Sequence, residues 1–347
     1  MTLTQTAVLT KQSIKLTIIA LIVIILSFIG YKIWYAYYLS TLPPVEEKPD
    51  TKFGKLPPPN FPKIDVSSSN FSYNLDTTTG SLPKLGDEGF EKIIKVYFVI
   101  KPLASLLSSE RSQTLAQKFG ISTPPQIISE TNYAFREAGK NLNVDLDSGN
   151  FTYINLISSP PNEQLDDDNK LVKDFENILA NLGVLKNELR EGRSKVTLLK
   201  KEGANYIPTT LRTEATSAQI SLWPKDLDKR SIFTSDFNKS LVNAQIFDSS
   251  SNLDNYLSIN FTNWPIEKEV FATYPTKSPE DAFNDLKGGK GAIILKPAKG
   301  EVSVTSIYLG YYLSDTYTPY LHPIYIFEGP QFVAYVSAVD SNFVEAK

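Results

Sequence analysis

The 347-residue chain has 35 Lys and Arg, 38 Asp and Glu, one His and no Cys, for a formal charge of −3. Without cysteine there is no disulfide, no thiolate metal site, no cysteine nucleophile and no lipid-modified cysteine. Three of the basic residues and none of the acidic ones fall in the first 40. The remainder therefore holds 32 basic against 38 acidic side chains, which argues against a nucleic-acid surface of clustered Lys and Arg.

Residues 16–31 contain no formal charge and centre on TIIALIVIILSFIG. Lys32, Trp34, Tyr35, Tyr37 and Tyr38 follow as an aromatic collar. The stretch 16–39 has about the 20 residues that a bilayer-spanning helix needs. Ring systems with a polar tip suit the headgroup layer, and a lysine can snorkel toward it. A cleaved leader has a shorter apolar run and ends in small residues, whereas this run ends in Tyr, Trp and Lys. The expected segment is a permanent anchor with the lipid bilayer as its partner. Lys11 and Lys15 precede it, and Glu46, Glu47, Lys48 and Asp50 come after. Positive charge stays on the cytoplasmic side, so the amino terminus is expected in the cytoplasm and residues beyond 40 outside the cell membrane.

Residues 41–64 hold Pro43, Pro44, Pro49, Pro57, Pro58, Pro59 and Pro62. Proline fixes φ and favours extended chain, so this reads as a semi-rigid spacer. Beyond it, 71–75 and 93–100 have strand character. Ser108 and Ser109 stand at the start of a helix that runs to Phe119 and Gly120. In 133–155 the pattern turns strictly alternating. Leu142, Val144 and Leu146 share one face, Ser148-Gly149 turns the chain, and Phe151 and Tyr153 return, which predicts an antiparallel meander.

Asp166, Asp167 and Asp168 open the strongest helix. Leu171, Val172, Phe175, Ile178, Leu179 and Leu182 form one apolar stripe, and Gly183 ends it. Strands are expected at 195–200, 204–212, 217–223, 242–247 and 255–263. Ser278 as N-cap, Pro279 at the first helical position and Asp281 two residues later announce a third helix, closed by Gly288-Gly289. The tail reads as strands at 302–313, 321–328 and 331–339, with Gly329-Pro330 as a turn. Helices are too few and links too short for a βαβ alternation. The expectation is α+β, with antiparallel sheets each covered by one helix. The expected division is an anchor (1–40), a linker (41–64) and two helix-plus-meander units (65–160 and 161–347), possible duplicates of one another.

Residues that carry chemistry are sparse. His322 is the single histidine, so neither a Ser-His-Asp triad nor a multi-histidine metal site can be assembled. Asp145-x-Asp147-x-Gly149 has its Gly at the fifth position and Leu156 at the twelfth, so it departs from a calcium loop. Ser81 and Lys84 have the spacing of a serine–lysine pair but lie in a Pro- and Gly-containing turn. No G-x-S-x-G, H-E-x-x-H, Walker A or Rossmann fingerprint occurs. No catalytic residue, metal ligand or cofactor is expected.

The alternation Tyr133-x-Phe135…Leu142-x-Val144-x-Leu146…Phe151-x-Tyr153, with the carboxyl-terminal blocks around Ser278-Pro279, 304–312, 323–329 and 332–336, follows a single anchor. In this the chain resembles membrane-anchored extracytoplasmic bacterial domains of the PepSY and YycH/YycI type. The resemblance covers 65–347 through packing patterns and carries over no functional residue. It implies a non-enzymatic role in contact with a membrane sensor or an envelope enzyme. The expected function is a binding or regulatory module, with Tyr311, Tyr312, Tyr317 and Tyr320 as a candidate partner surface in the segment between two late strands. The alternative is a hydrolase or glycan-binding protein of the envelope that uses paired carboxylates.

Overall fold

The computed structural model describes residues 3–41, 48–63, 66–156, 165–203, 205–247, 251–297 and 300–345. The chain divides into two units, Met1–Lys48 and Pro49–Lys347. In chain order the elements begin with α1 (Leu3–Thr41), β1 (Ser72–Leu75), β2 (Ile93–Val99) and α2 (Ser108–Lys118). Four strands follow: β3 (Gln126–Ile127), β4 (Asn132–Glu137), β5 (Lys140–Asp145) and β6 (Phe151–Asn155). Next are α3 (Asp168–Leu182), the short α4 (Asn187–Arg190), β7 (Ser194–Glu202), β8 (Asn205–Pro208) and β9 (Ser217–Leu222). Then come β10 (Ile232–Phe233), β11 (Val242–Ile246), β12 (Tyr256–Phe261), β13 (Ile266–Pro275) and α5 (Pro279–Lys287). The last strands are β14 (Ala292–Leu295), β15 (Glu301–Val304), β16 (Ser306–Tyr312), β17 (Tyr320–Gly329) and β18 (Phe332–Ser337).

Among the described residues the first unit is the helix α1. Its stretch Ile19–Tyr38 is long and apolar enough to cross a membrane, a property that an amino-terminal signal sequence shares. Trp34, Tyr35, Tyr37 and Tyr38 are all exposed. Tyr31 stacks on Tyr35 at 6.0 Å and Trp34 on Tyr38 at 5.7 Å, the i, i+4 spacing that one helix face brings together. The Lys32 ammonium lies 5.6 Å from the Phe28 ring.

The second unit is α+β, with mostly antiparallel sheets. Nine strands form one antiparallel sheet in the order β3-β4-β5-β6-β12-β11-β9-β7-β8. Its period-two pattern sends Leu142, Tyr153, Ile259, Ala244 and Ile220 to one buried face. The opposite face is polar. The register Asn143↔Thr152, Thr152↔Asn260, Asn260↔Asn243 and Asn243↔Ser221 crosses five strands in a row. Asn243 Oδ1 accepts from Asn260 Nδ2 and Gln219 Nε2 along it. A second sheet holds β10-β16-β17-β18-β14, with β2 and β13 attached through β17. Within it only β10 runs parallel to its neighbour. β1 and β15 form a parallel pair beside it.

The helix signals are met at two of three starts. Asp167 Oδ1 accepts from Lys170 N, and Gly183 sits at φ +82° as the left-handed cap of α3. Ser278 Oγ accepts from Asp281 N with Pro279 as the first residue of α5. α2 begins one residue after Leu107, with no side-chain cap. Ser108 Oγ instead accepts from Ser105 N and shapes the loop before the helix.

Three expectations are corrected. First, α2 and α3 both bury their apolar faces in the core of the nine-stranded sheet, while α5 covers the second sheet. The arrangement is therefore not one helix per sheet, because a nine-stranded face is too wide for one. Second, a boundary at 160/161 does not follow the sheets. β6 pairs with β12, and β2 pairs with β13 and β17. Apart from β10, every strand between β2 and its neighbour β13 belongs to the nine-stranded sheet.

Third, the proline-rich segment is not a spacer from Pro49 onward; residues 42–47 and 64–65 lie outside the described residues. Leu56 is fully buried against Val96, Tyr274 and Val339. Its backbone exchanges two hydrogen bonds with Phe343 and Glu345, both 2.8 Å. Tyr274 Oη donates to Gly54 O at 2.9 Å, and Tyr312 Oη donates to Asn60 O at 3.0 Å. Proline suits such a strap, since an edge segment need not donate every N–H.

Close backbone contact between β17 and β15 makes Gly329 intolerant of a side chain. A Cβ there would overlap the Ser303 carbonyl oxygen, whereas one on exposed Gly300 would meet open space. Gly329→Ala is expected to cost about 3 kcal/mol by overpacking, and Gly300→Ala to leave the urea midpoint unchanged. Equal midpoints for both would contradict this packing.

Candidate functional site

Strand β2 ends at Val99, and Ile100 N donates to Pro265 O at 2.8 Å. The next seven residues, Lys-Pro-Leu-Ala-Ser-Leu-Leu, cross from one sheet to the other. Backbone bonds fix this loop: Asp147 Oδ1 accepts from Ala104 N at 2.9 Å, and Ser108 N donates to Ser105 O at 3.0 Å. Its leucines nevertheless point to solvent. Leu103 is 74% exposed, Leu106 103% and Leu107 52%. Full burial of a leucine returns about 1.5–3 kcal/mol, most of which Leu103 and Leu106 forgo and about half of which Leu107 forgoes. Contiguous exposed apolar surface is one feature that contact sites share.

Behind the loop lies a groove of about 800 Å³, formed with α2, the turn 144–149 and the end of α3. Its floor is apolar, with Leu115, Val144, Leu182 and Phe261. Its charges balance: Glu110, Asp145 and Asp147 against Arg111, Lys118 and Lys186. Several are already engaged in structure. Asp145 Oδ1 accepts from Asp147 N and Ser148 N, which explains the alternating aspartates as a turn. Lys118 Nζ donates to Asn181 O and Leu182 O, the carbonyl end of α3, where a cation is favoured. Two more apolar residues are exposed at the first strand of the sheet. Leu146 N donates to Thr131 O and Ile128 N to Asn132 O, and Ile127 and Ile128 are both largely exposed on edge strand β3 and just beyond it.

The four candidate tyrosines do not form one surface. Tyr311 and Tyr312 are core residues of β16, which is covered on both faces, so successive side chains are buried in opposite directions. Tyr312 packs edge-on against Phe61 at 5.0 Å. Tyr311 faces Tyr97 at 5.7 Å. Tyr320 is half-buried and stacks on Phe53 at 5.0 Å. Tyr317 alone stands near the groove loop. Its Oη donates to Val99 O at 3.1 Å, and the Lys101 ammonium lies 5.8 Å from its ring.

Tyr311 belongs to a polar cluster around Asp228. The turn Leu227–Arg230 places Asp228 at φ +50° and Lys229 at φ +61°, the conformation of a tight hairpin turn. Asp228 then accepts from Tyr97 Oη at 2.5 Å, Tyr311 Oη at 3.2 Å and Lys95 Nζ at 3.3 Å. Burial pushes the Asp228 carboxyl up. The hydrogen bonds from Tyr97 and Lys95, the Lys95 charge and the Tyr311 bond outweigh it, and the net shift is downward. Arg230 pairs with Glu91 alongside.

His322 is buried in β17, its Nδ1 has no hydrogen-bond partner, and burial lowers its pKa to about 4. It is neutral at pH 7 and serves as packing. Among the described residues no group of three His, Asp or Glu could hold a metal ion.

No family model matches the chain, and no curated protein matches it. Among solved structures the chain is similar to an uncharacterized protein from Eubacterium rectale ATCC 33656. The two are 11% identical over 72% of this chain and 86% of that one, with a TM-score of 0.33.

Proposed function

We propose that the protein is a single-pass, membrane-anchored binding or regulatory module without enzymatic activity. Its amino terminus is cytoplasmic and its folded unit lies outside the cell membrane. Support for the anchor is the apolar helix with Lys11 and Lys15 before it and the Lys32 to Tyr38 collar after it.

The observation that carries the binding role is the fixed loop that holds Leu103, Leu106 and Leu107 in solvent beside an apolar groove. The occupant is an apolar segment of a membrane or envelope protein. A concave floor receives side chains, and a rim of three acids and three bases lacks the positive surplus that an anionic bilayer surface attracts.

A photo-crosslinker at Leu106 in the full-length protein, in native membranes, is expected to capture a discrete protein. Leu103→Ser/Leu107→Ser is expected to cut that capture at least about tenfold, as loss of two apolar anchors does, with Tm unchanged. Capture of lipid alone, or capture indifferent to the leucines, overturns the reading. The cysteine-free chain also allows a clean topology test: Gly300→Cys is expected to react with a membrane-impermeant maleimide on intact cells.

A further inference from the structure

A second cavity, of about 1100 Å³, lies between the strap 55–63 and the loop that follows α5. Its charged lining is Lys55, Lys63, Lys277 and Lys290 against Asp285 and Glu345, a surplus of two positive charges. The chain beyond residue 40 has the opposite balance, whereas four lysines from three separate stretches line this one cavity.

The pairing inside the cavity leaves charge to spare. Lys277, which is 8% exposed, donates to Asp285 Oδ2 at 2.5 Å, and Lys290 donates to Asp285 Oδ1 at 2.9 Å. One carboxylate thus serves two ammonium groups. Burial pushes Asp285 up, but the hydrogen bonds and charges of those two lysines hold it below its usual range, so the carboxylate stays ionised and the lining keeps a net of two positive charges. The lining also carries hydroxyls. Ser337 Oγ is buried with no hydrogen-bond partner. Gly289, at φ +87°, brings the loop so near Ser67 that an added Cβ would stand 3.0 Å from Ser67 Oγ.

We infer that this cavity binds a phosphate monoester dianion. Lysine ammoniums are point charges that satisfy a tetrahedral anion from several sides, and hydroxyls donate to its remaining oxygens. Planar carboxylates are recognised by the forked guanidinium of arginine, and no arginine lines this cavity. Two surplus charges match a monoester dianion better than a singly charged diester. The chemistry is common to a free phosphate ester and to a phosphatidic acid headgroup.

The test uses the full-length protein in phosphatidylcholine nanodiscs, titrated calorimetrically with inorganic phosphate. Saturable binding below about 10 mM is expected, the weak range natural for one small anion. Lys55→Gln/Lys63→Gln/Lys290→Gln leaves the Lys277–Asp285 pair intact and is expected to weaken binding at least about tenfold at unchanged Tm. A parallel arm replaces a tenth of the lipid with phosphatidic acid: competition with free phosphate there assigns the lipid source, and its absence assigns a soluble ester. Phosphate binding equal in the triple variant, or no saturable binding in either arm, overturns the inference.

Discussion

Replacing residues 49–63 with a Gly/Ser segment of equal length is expected to cost at least about 5 kcal/mol, enough to unfold many domains outright. Leu56 alone accounts for much of this. Truncating a fully buried leucine costs about 2–5 kcal/mol where the cavity cannot collapse, and Leu56 is wedged against Val96, Ala272, Tyr274 and Val339. Phe61 contributes its ring contacts with Tyr312 and Tyr335. Asp50 adds a reciprocal pair, Asp50 N to Thr273 Oγ1 at 2.9 Å and Thr273 N to Asp50 Oδ1 at 2.8 Å. Without these anchors the segment would no longer hold its backbone carbonyls against the Tyr312 and Tyr274 hydroxyls. Trp223 and Trp264 report unfolding in urea. A spacer predicts the same midpoint for the replaced and native chains; a strap predicts a large drop. Leu56→Ala separates the two on its own, because a spacer residue would tolerate it.

The strap shows where sequence reading stops. Its prolines state an extended conformation correctly, but extended chain is equally compatible with solvent and with a sheet edge. Only the position of Leu56 within the fold decides. The same limit applies to β13. Its Glu267, Lys268 and Glu269 interrupt any alternation, and the irregular register between Glu267 and Phe271 absorbs them, so a ten-residue strand left no period-two trace. Two-residue β3 and β10 have no pattern to show. By contrast α3, α5 and the β4–β6 meander were legible, because caps, stripes and turns are encoded within a dozen residues.

For the sites, the groove loop was open to notice. Leu103, Leu106 and Leu107 are apolar residues outside any periodic element, beside Pro102 and Ser105, and such residues have no core to join. Tyr311 and Tyr312 misled for the opposite reason: aromatic strands look alike whether one face or both are covered. The lysine cavity was hidden, since residues 55, 63, 277 and 290 meet only in three dimensions.

The Asp228 cluster makes a prediction in which charge, geometry and pH are separable. Asp228→Ala is expected to cost about 2 kcal/mol and Asp228→Asn about 1 kcal/mol, near the lower end for hydrogen bonds to a charged acceptor because the side chain is 30% exposed. The order follows from what each leaves behind. Alanine strands the Tyr97 and Tyr311 hydroxyls and must hold a left-handed φ, which asparagine tolerates. Asparagine keeps one acceptor oxygen for the two tyrosine hydroxyls but loses the charge that draws Lys95 and puts an amide, which cannot accept, where the Lys95 ammonium donates.

The pH dependence has a definite sign. The folded-state pKa of Asp228 lies below its ordinary value, so the unfolded chain takes up the proton first as pH falls. The stabilisation is therefore complete above the unfolded value of about 3.9 and disappears as pH drops through the folded one. The difference between native and Asp228→Asn should accordingly be full at neutral pH and shrink in acid, measured as urea midpoints along a pH series. A difference that stays constant into strong acid would show that the carboxylate charge contributes nothing. Tyr97→Phe provides the matching half of a double-mutant cycle. Coupling between Tyr97 and Asp228 should be present at pH 7 and fade over that same acidic window, because it is the ionised carboxylate that the Tyr97 hydroxyl binds.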